Sequence, residues 1–188
     1  STEELGDRHV EAGRGERVAI LFEDQKITYK QLQSSINKLG SALKGLGIAE
    51  EDTVLLRVPS VPPALVANFA LLKIGAVVIP TSPLFSRAEL VHVADSTGAV
   101  ALIVAAPLLE EVEKARGELS TVKHVIVIGG EAAEVKAKGY IPYGELLAKG
   151  TETLEPVRRD RMAVSVLLFT SGTTGLPKGT VHFMEEAL

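Results

Sequence analysis

Ten consecutive residues, Thr170-Ser171-Gly172-Thr173-Thr174-Gly175-Leu176-Pro177-Lys178-Gly179, gather most of the groups in this chain that could do chemistry. Gly172, Gly175 and Gly179 permit backbone angles closed to other residues and let N–H groups come close to an anion. Ser171, Thr173 and Thr174 add hydroxyl donors. Lys178 adds a compact positive charge suited to a phosphate, and Pro177 limits how far the loop can collapse. An apolar run, Ala163–Thr170, leads in, and a second strand-like run, Thr180–Phe183, leads out. The sum is a flexible polyphosphate clamp launched from a buried strand. A loop of Ser, Thr and Gly with no ligand is the plain alternative. The strand before it, the lysine within it and the strand after it favour the clamp.

The loop is not of the Walker type, G-x-x-x-x-G-K-[ST] followed by a helix. With Gly172 as the first glycine, Pro177 stands where the second belongs. Lys178 falls in place, but Gly179 replaces the metal-binding Ser or Thr, and a β-branched run follows instead of a helix. Elsewhere the four histidines show no metal-ligand spacing. His9 and His124 read as surface or strand-end residues and His92 as a structural residue within a helix. His182 follows the loop closely enough to be a candidate for the site.

The elements that must position the loop can be read from apolar spacing. Val18–Phe22, the turn at Glu23-Asp24 and Lys26–Tyr29 form a small hairpin. Thr28 and Gln31 make a capping box for a helix whose apolar face is Leu32, Ile36, Leu39, Leu43 and Leu46. Thr53–Val58 is a strand. Prolines 59, 62 and 63 break it and suit the first turn of a helix that runs through Leu65, Phe69 and Leu72 to Gly75. Ala76–Ile79 is the next strand. Ser86 and Glu89 open a helix to about Asp95. Ala99–Val104 is a strand, Pro107–Gly117 a helix, Val122–Ile128 a strand, and Tyr143–Lys149 a short helix. The stretch 131–156 is the least regular and reads as partly loop. Strands alternate with helices, and their apolar runs are continuous, which predicts an α/β fold: a mostly parallel sheet with helices on both faces. In such sheets ligands sit at the carboxyl ends of strands, where this loop falls.

Composition narrows the partners. With 188 residues, 46% hydrophobic and 23% charged, the chain can bury a real core. A net charge of −4 with no cluster of Lys and Arg argues against nucleic acid. The absence of cysteine excludes disulfides, thiolate nucleophiles and Cys-held metals. Apolar stretches such as Ala64–Leu72 are too short to span a bilayer, so the membrane is not an expected partner and the cytoplasm is the expected address. The chain opens on Ser1, and Phe183–Leu188 reads as the start of an element. The expectation is a piece of a longer protein, and the alternative is a complete chain that has been trimmed.

The run Leu167–Gly179 closely resembles the core motif of the adenylate-forming superfamily, which includes acyl- and aryl-CoA synthetases, luciferase and the adenylation domains of peptide synthetases. Two weaker features fit the same family: Ile27-Thr28-Tyr29-Lys30-Gln31-Leu32, and Leu71-Leu72-Lys73-Ile74-Gly75-Ala76-Val77-Val78-Ile79-Pro80. For both, packing roles are expected. The resemblance covers nearly the whole chain but only the N-terminal part of the family's length, so residues 1–188 are expected to form an incomplete AMP-binding domain. It implies that ATP and a small carboxylic acid give an acyl-adenylate and pyrophosphate, and that coenzyme A then takes the acyl group as a thioester. It implies Mg²⁺ as well. Thr170, Ser171, Gly172, Thr173, Thr174, Gly175, Lys178 and Gly179 become nucleotide-binding residues, with Lys178 stabilising phosphate charge and Thr174 near the metal. The family's later segments bind adenine and ribose, shape most of the acyl pocket and carry a further lysine. Without them the chain is expected to be inactive alone. The alternative from another class is a stand-alone, non-catalytic nucleotide- or phosphate-binding module.

Overall fold

The computed structural model describes residues 7–170 and 175–184. A short helix α1 (Asp7–Glu11) leads to the hairpin β1 (Val18–Phe22) and β2 (Gln25–Thr28), an antiparallel pair on its own. Helix α2 (Tyr29–Gly45) starts directly from it. Both halves of its capping box form: the Gln31 amide donates to Thr28 Oγ1 at 3.3 Å, and the Thr28 amide donates to Gln31 Oε1 at 2.9 Å. Such a cap stabilises by about 1 kcal/mol.

The rest of the chain builds one seven-stranded sheet from β3 (Thr53–Arg57), β4 (Val77–Pro80), β5 (Ala101–Ala105), β6 (His124–Ile128), β7 (Ile141–Pro142), β8 (Val164–Thr170) and β9 (Lys178–Phe183). The order is β7-β6-β5-β3-β4-β8-β9. Every neighbouring pair is parallel except β8–β9, an antiparallel hairpin. The connecting helices are α3 (Pro62–Lys73), α4 (Arg87–Thr97), α5 (Leu109–Ala115), α6 (Ala132–Ala137) and α7 (Tyr143–Ala148).

Side chains alternate across each strand, and this splits the core in two. Val54, Leu56, Ala101, Ile103 and Val166 face a cluster with Leu39 and Leu43 of α2, Ala70 and Leu71 of α3, and Leu146 of α7. Leu55, Leu102, Val104, Leu167 and Phe169 face the other cluster, with Leu90, Val93 and Ala94 of α4 and Val112 and Ala115 of α5. The sheet is therefore mostly parallel and covered on both faces, as its continuous apolar strands predict.

Some details differ from the sequence reading. The predicted helix 107–117 begins as a 3₁₀ turn, Ala106–Leu108, before α5. The stretch 131–156 is more regular than its composition suggests, holding α6, β7 and α7. Its tail crosses α2, where Asn37 Nδ2 donates to the Glu152 carbonyl at 2.7 Å, and the next residues reach the end of α3, where the Val157 amide donates to the Lys73 carbonyl at 2.9 Å.

Candidate functional site

The loop joins β8 to β9 at the carboxyl end of β8. Ser171, Gly172, Thr173 and Thr174 lie outside the described residues, so the site is built from its two margins. Thr170 pairs with Lys178 and Phe169 with Gly179 across the hairpin. Residues directly opposite in a pair share a face, so Thr170 and Lys178 stand together on one face, both exposed. Among the described residues Lys178 forms no ion pair.

The two described glycines serve different ends. Gly175 has φ +151°, with nothing within 4 Å of a Cβ placed there, so only its backbone conformation requires glycine. Gly179 is a close-approach site: a Cβ there would stand 3.0 Å from Phe169 Cζ.

Pro177 is buried, and His92 Nε2 of α4 lies 3.1 Å from its carbonyl oxygen. A carbonyl only accepts, so the ring proton must sit on Nε2 for this bond. The helix-interior, structural reading of His92 is therefore incomplete, because this side chain touches the loop. No local signal in the sequence announces it. It becomes visible only once α4 packs over Phe169 and the end of β8. His182, the histidine singled out for proximity, pairs opposite Val166 near the far end of β9. That is four residues from Lys178, roughly 13 Å along the strand. Its carbonyl accepts from Ser165 Oγ at 3.2 Å. His9 stacks on Tyr29 with ring centroids 4.0 Å apart.

Sequence reasoning also passed over Arg57, the last residue of β3. It is 1% exposed, and its guanidinium donates to the carbonyls of Ser82, Pro83 and Phe85 at 2.7, 2.8 and 2.9 Å. Burial pulls its pKa down, against the opposing pull of Glu111 and Glu89, yet guanidinium is basic enough to stay charged. The fork fixes the turn that delivers Ser86, where a capping box with Glu89 starts α4. Arg57 thus helps set the position of the helix that carries His92. A charged residue closing an apolar strand was the available signal.

Lys73, within the second motif-like segment, is 3% exposed and donates to Asp7 Oδ2 at 2.6 Å and Asn37 Oδ1 at 2.8 Å. It ties α1, α2 and α3 together, which is the packing role expected of it. Among the described residues no cluster of His, Asp or Glu could hold a metal ion, and no helix is long and apolar enough to cross a membrane.

A mostly parallel sheet covered on both faces and edged by the antiparallel β8–β9 hairpin defines an open-sheet α/β protein. The match to known proteins is specific: the family model for AMP-binding enzymes spans residues 7–188, and the chain belongs to that family. It is 30% identical over its whole length to a 3-hydroxybenzoate/4-hydroxybenzoate–CoA ligase of Thauera aromatica, of which it covers 35%. It is 36% identical over 94% of its length to an acetyl-coenzyme A synthetase of Mycolicibacterium smegmatis, of which it covers 20%. Among solved structures it superposes on the anthranilate CoA ligase AuaEII in complex with anthranoyl-AMP with a TM-score of 0.90 and 28% identity, covering 98% of this chain and 35% of that one. The chain spans about a third or less of these relatives.

Proposed function

We propose that this chain supplies the phosphate-binding hairpin of an ATP-dependent acid–CoA ligase, and that residues 1–188 are the N-terminal part of its AMP-binding domain. The observation that carries this reading is the pairing of Thr170 with Lys178, which stands an exposed ammonium at the mouth of the Gly/Thr loop. In the first step a carboxylate oxygen bonds to the α-phosphorus of ATP. The bond from that phosphorus to the bridging oxygen breaks, and pyrophosphate leaves with the electron pair. The loop holds the β- and γ-phosphates, the departing group. Lys178 places positive charge where negative charge accumulates, the form of catalysis that preorganised donors provide. Ser171, Thr173 and Thr174 add hydroxyls, and Gly172 adds a close backbone N–H. In the second step the sulfur of coenzyme A displaces AMP, giving the thioester.

Mg²⁺ fits this reading because it is held mainly by phosphate oxygens and water, with few protein ligands. Thr174 is the residue assigned to it, and the ion would neutralise phosphate charge. The acid is a small carboxylic acid. The test is a panel of aliphatic and aromatic acids offered, with ATP and coenzyme A, to a protein carrying this chain together with the family's later segments. Acid-dependent exchange of pyrophosphate into ATP is expected for at least one acid, and no exchange with any acid sinks the reading. The 188-residue chain alone is expected to give none, because the adenine, ribose and acyl contacts are assigned to those later segments.

A further inference from the structure

We propose that His92 is a positioning residue for the phosphate loop, clamping it through the Pro177 carbonyl so that Lys178 is presented to ATP. The proposal rests on the functional reading above. The geometry is specific. Pro177 is buried and cannot donate from its own nitrogen, so its carbonyl is the group by which a neighbour can hold it. His92 reaches that carbonyl at 3.1 Å from a helix 85 residues earlier in the chain. The next residue is Lys178 and the one after is Gly179, seated on the Phe169 ring. The end of the loop is thus held on one side by the α4 imidazole and on the other by the hairpin ladder. Without the imidazole bond the ladder remains, but Pro177 loses its hydrogen bond to α4.

His92 is half-buried, so the variants must separate the lost hydrogen bond from lost packing. Three variants separate holding from packing. His92→Gln puts an amide donor near the position of Nε2. His92→Asn carries the same amide one carbon short, and His92→Leu keeps bulk without a donor. In the complete enzyme, Leu and Asn are expected to raise KM for ATP roughly three- to tenfold, the size of one hydrogen bond. The KM values for acid and coenzyme A should stay put, and Gln should restore KM for ATP. A merely structural role would move all three constants together or make Gln no better than Leu, and either result overturns the proposal. Limited trypsin digestion reads the same clamp without any turnover. Cleavage after Lys178 should be faster in the Leu and Asn variants than in wild type and Gln. Equal cleavage in all four overturns the clamp. If the wild-type enzyme activates no acid, the functional reading fails, and the digestion still decides the clamp.

Discussion

Gly179 lies against the ring of Phe169 so closely that a Cβ at position 179 would meet Cζ at 3.0 Å and Cε1 and Cε2 at 3.3 Å. The two residues are register partners across the hairpin that carries the loop. Gly179→Ala must therefore push the ring, which also packs against the α4–α5 side of the sheet. The expected cost is about 1 kcal/mol, the low end for overpacking because the position is exposed. Phe169→Leu in the same chain should recover most of it. Urea unfolding of the two single variants and the double variant checks this, and additive losses would show that the two residues do not interact.

Lys178→Ala should leave the melting temperature unchanged, since the side chain is exposed. Acid-dependent pyrophosphate exchange in the complete enzyme should fall by about a hundredfold, the scale on which removal of one charge-stabilising donor acts. Undiminished exchange would remove Lys178 from the mechanism.

Lys73→Met should destabilise strongly without touching the loop. Asp7 and Asn37 would each lose a partner at 2.6 and 2.8 Å, and both are largely shielded from water. Breaking one side of a buried ion pair puts the loss at about 3 kcal/mol. A lower urea midpoint with an unchanged slope is the expected signature.

Tyr143 supplies a pH signature. Burial pushes its hydroxyl up to about 12 from an ordinary value of 10.0. The folded state holds this proton more tightly than the unfolded state does. The contribution is therefore complete below pH 10 and lost as pH rises from 10 towards 12. Stability in that window should fall for the wild type by about 2 kcal/mol more than for Tyr143→Phe. Parallel curves for the two proteins would show that Tyr143 titrates as it would in water.

The parts of this fold that could be read directly are those set by local pattern. The boxes at Thr28–Gln31 and Ser86–Glu89 form as their spacing requires, and the strands from β3 to β6 lie on the continuous apolar runs read from the sequence. The parts that could not be read depend on distant partners. The path after α7 is fixed by Glu152 against Asn37 and by Val157 against the backbone of Lys73, contacts that no local window contains. The same holds at the site. The candidate residues of the loop, Lys178 among them, could be named because the loop is contiguous, whereas His92 reaches the loop across 85 residues. His182, near in sequence, is carried away by the straight run of β9.

The β8–β9 hairpin is joined to itself by six register pairs but to β4 by one, Val78 with Val166. Val166 is thus the register point that ties the hairpin to the parallel strands, and the loop proposed to hold phosphate lies at the hairpin's other end; if the ribbon tilts about that point, the loop end moves most. Thr170 stands four residues out, an arm of roughly 13 Å, so a tilt of about 5° carries it about 1 Å. A displacement of that size at a reacting group is enough to change rates severalfold or more. Under the proposed function, the end of the hairpin where pyrophosphate would leave is the part that such a tilt would displace most.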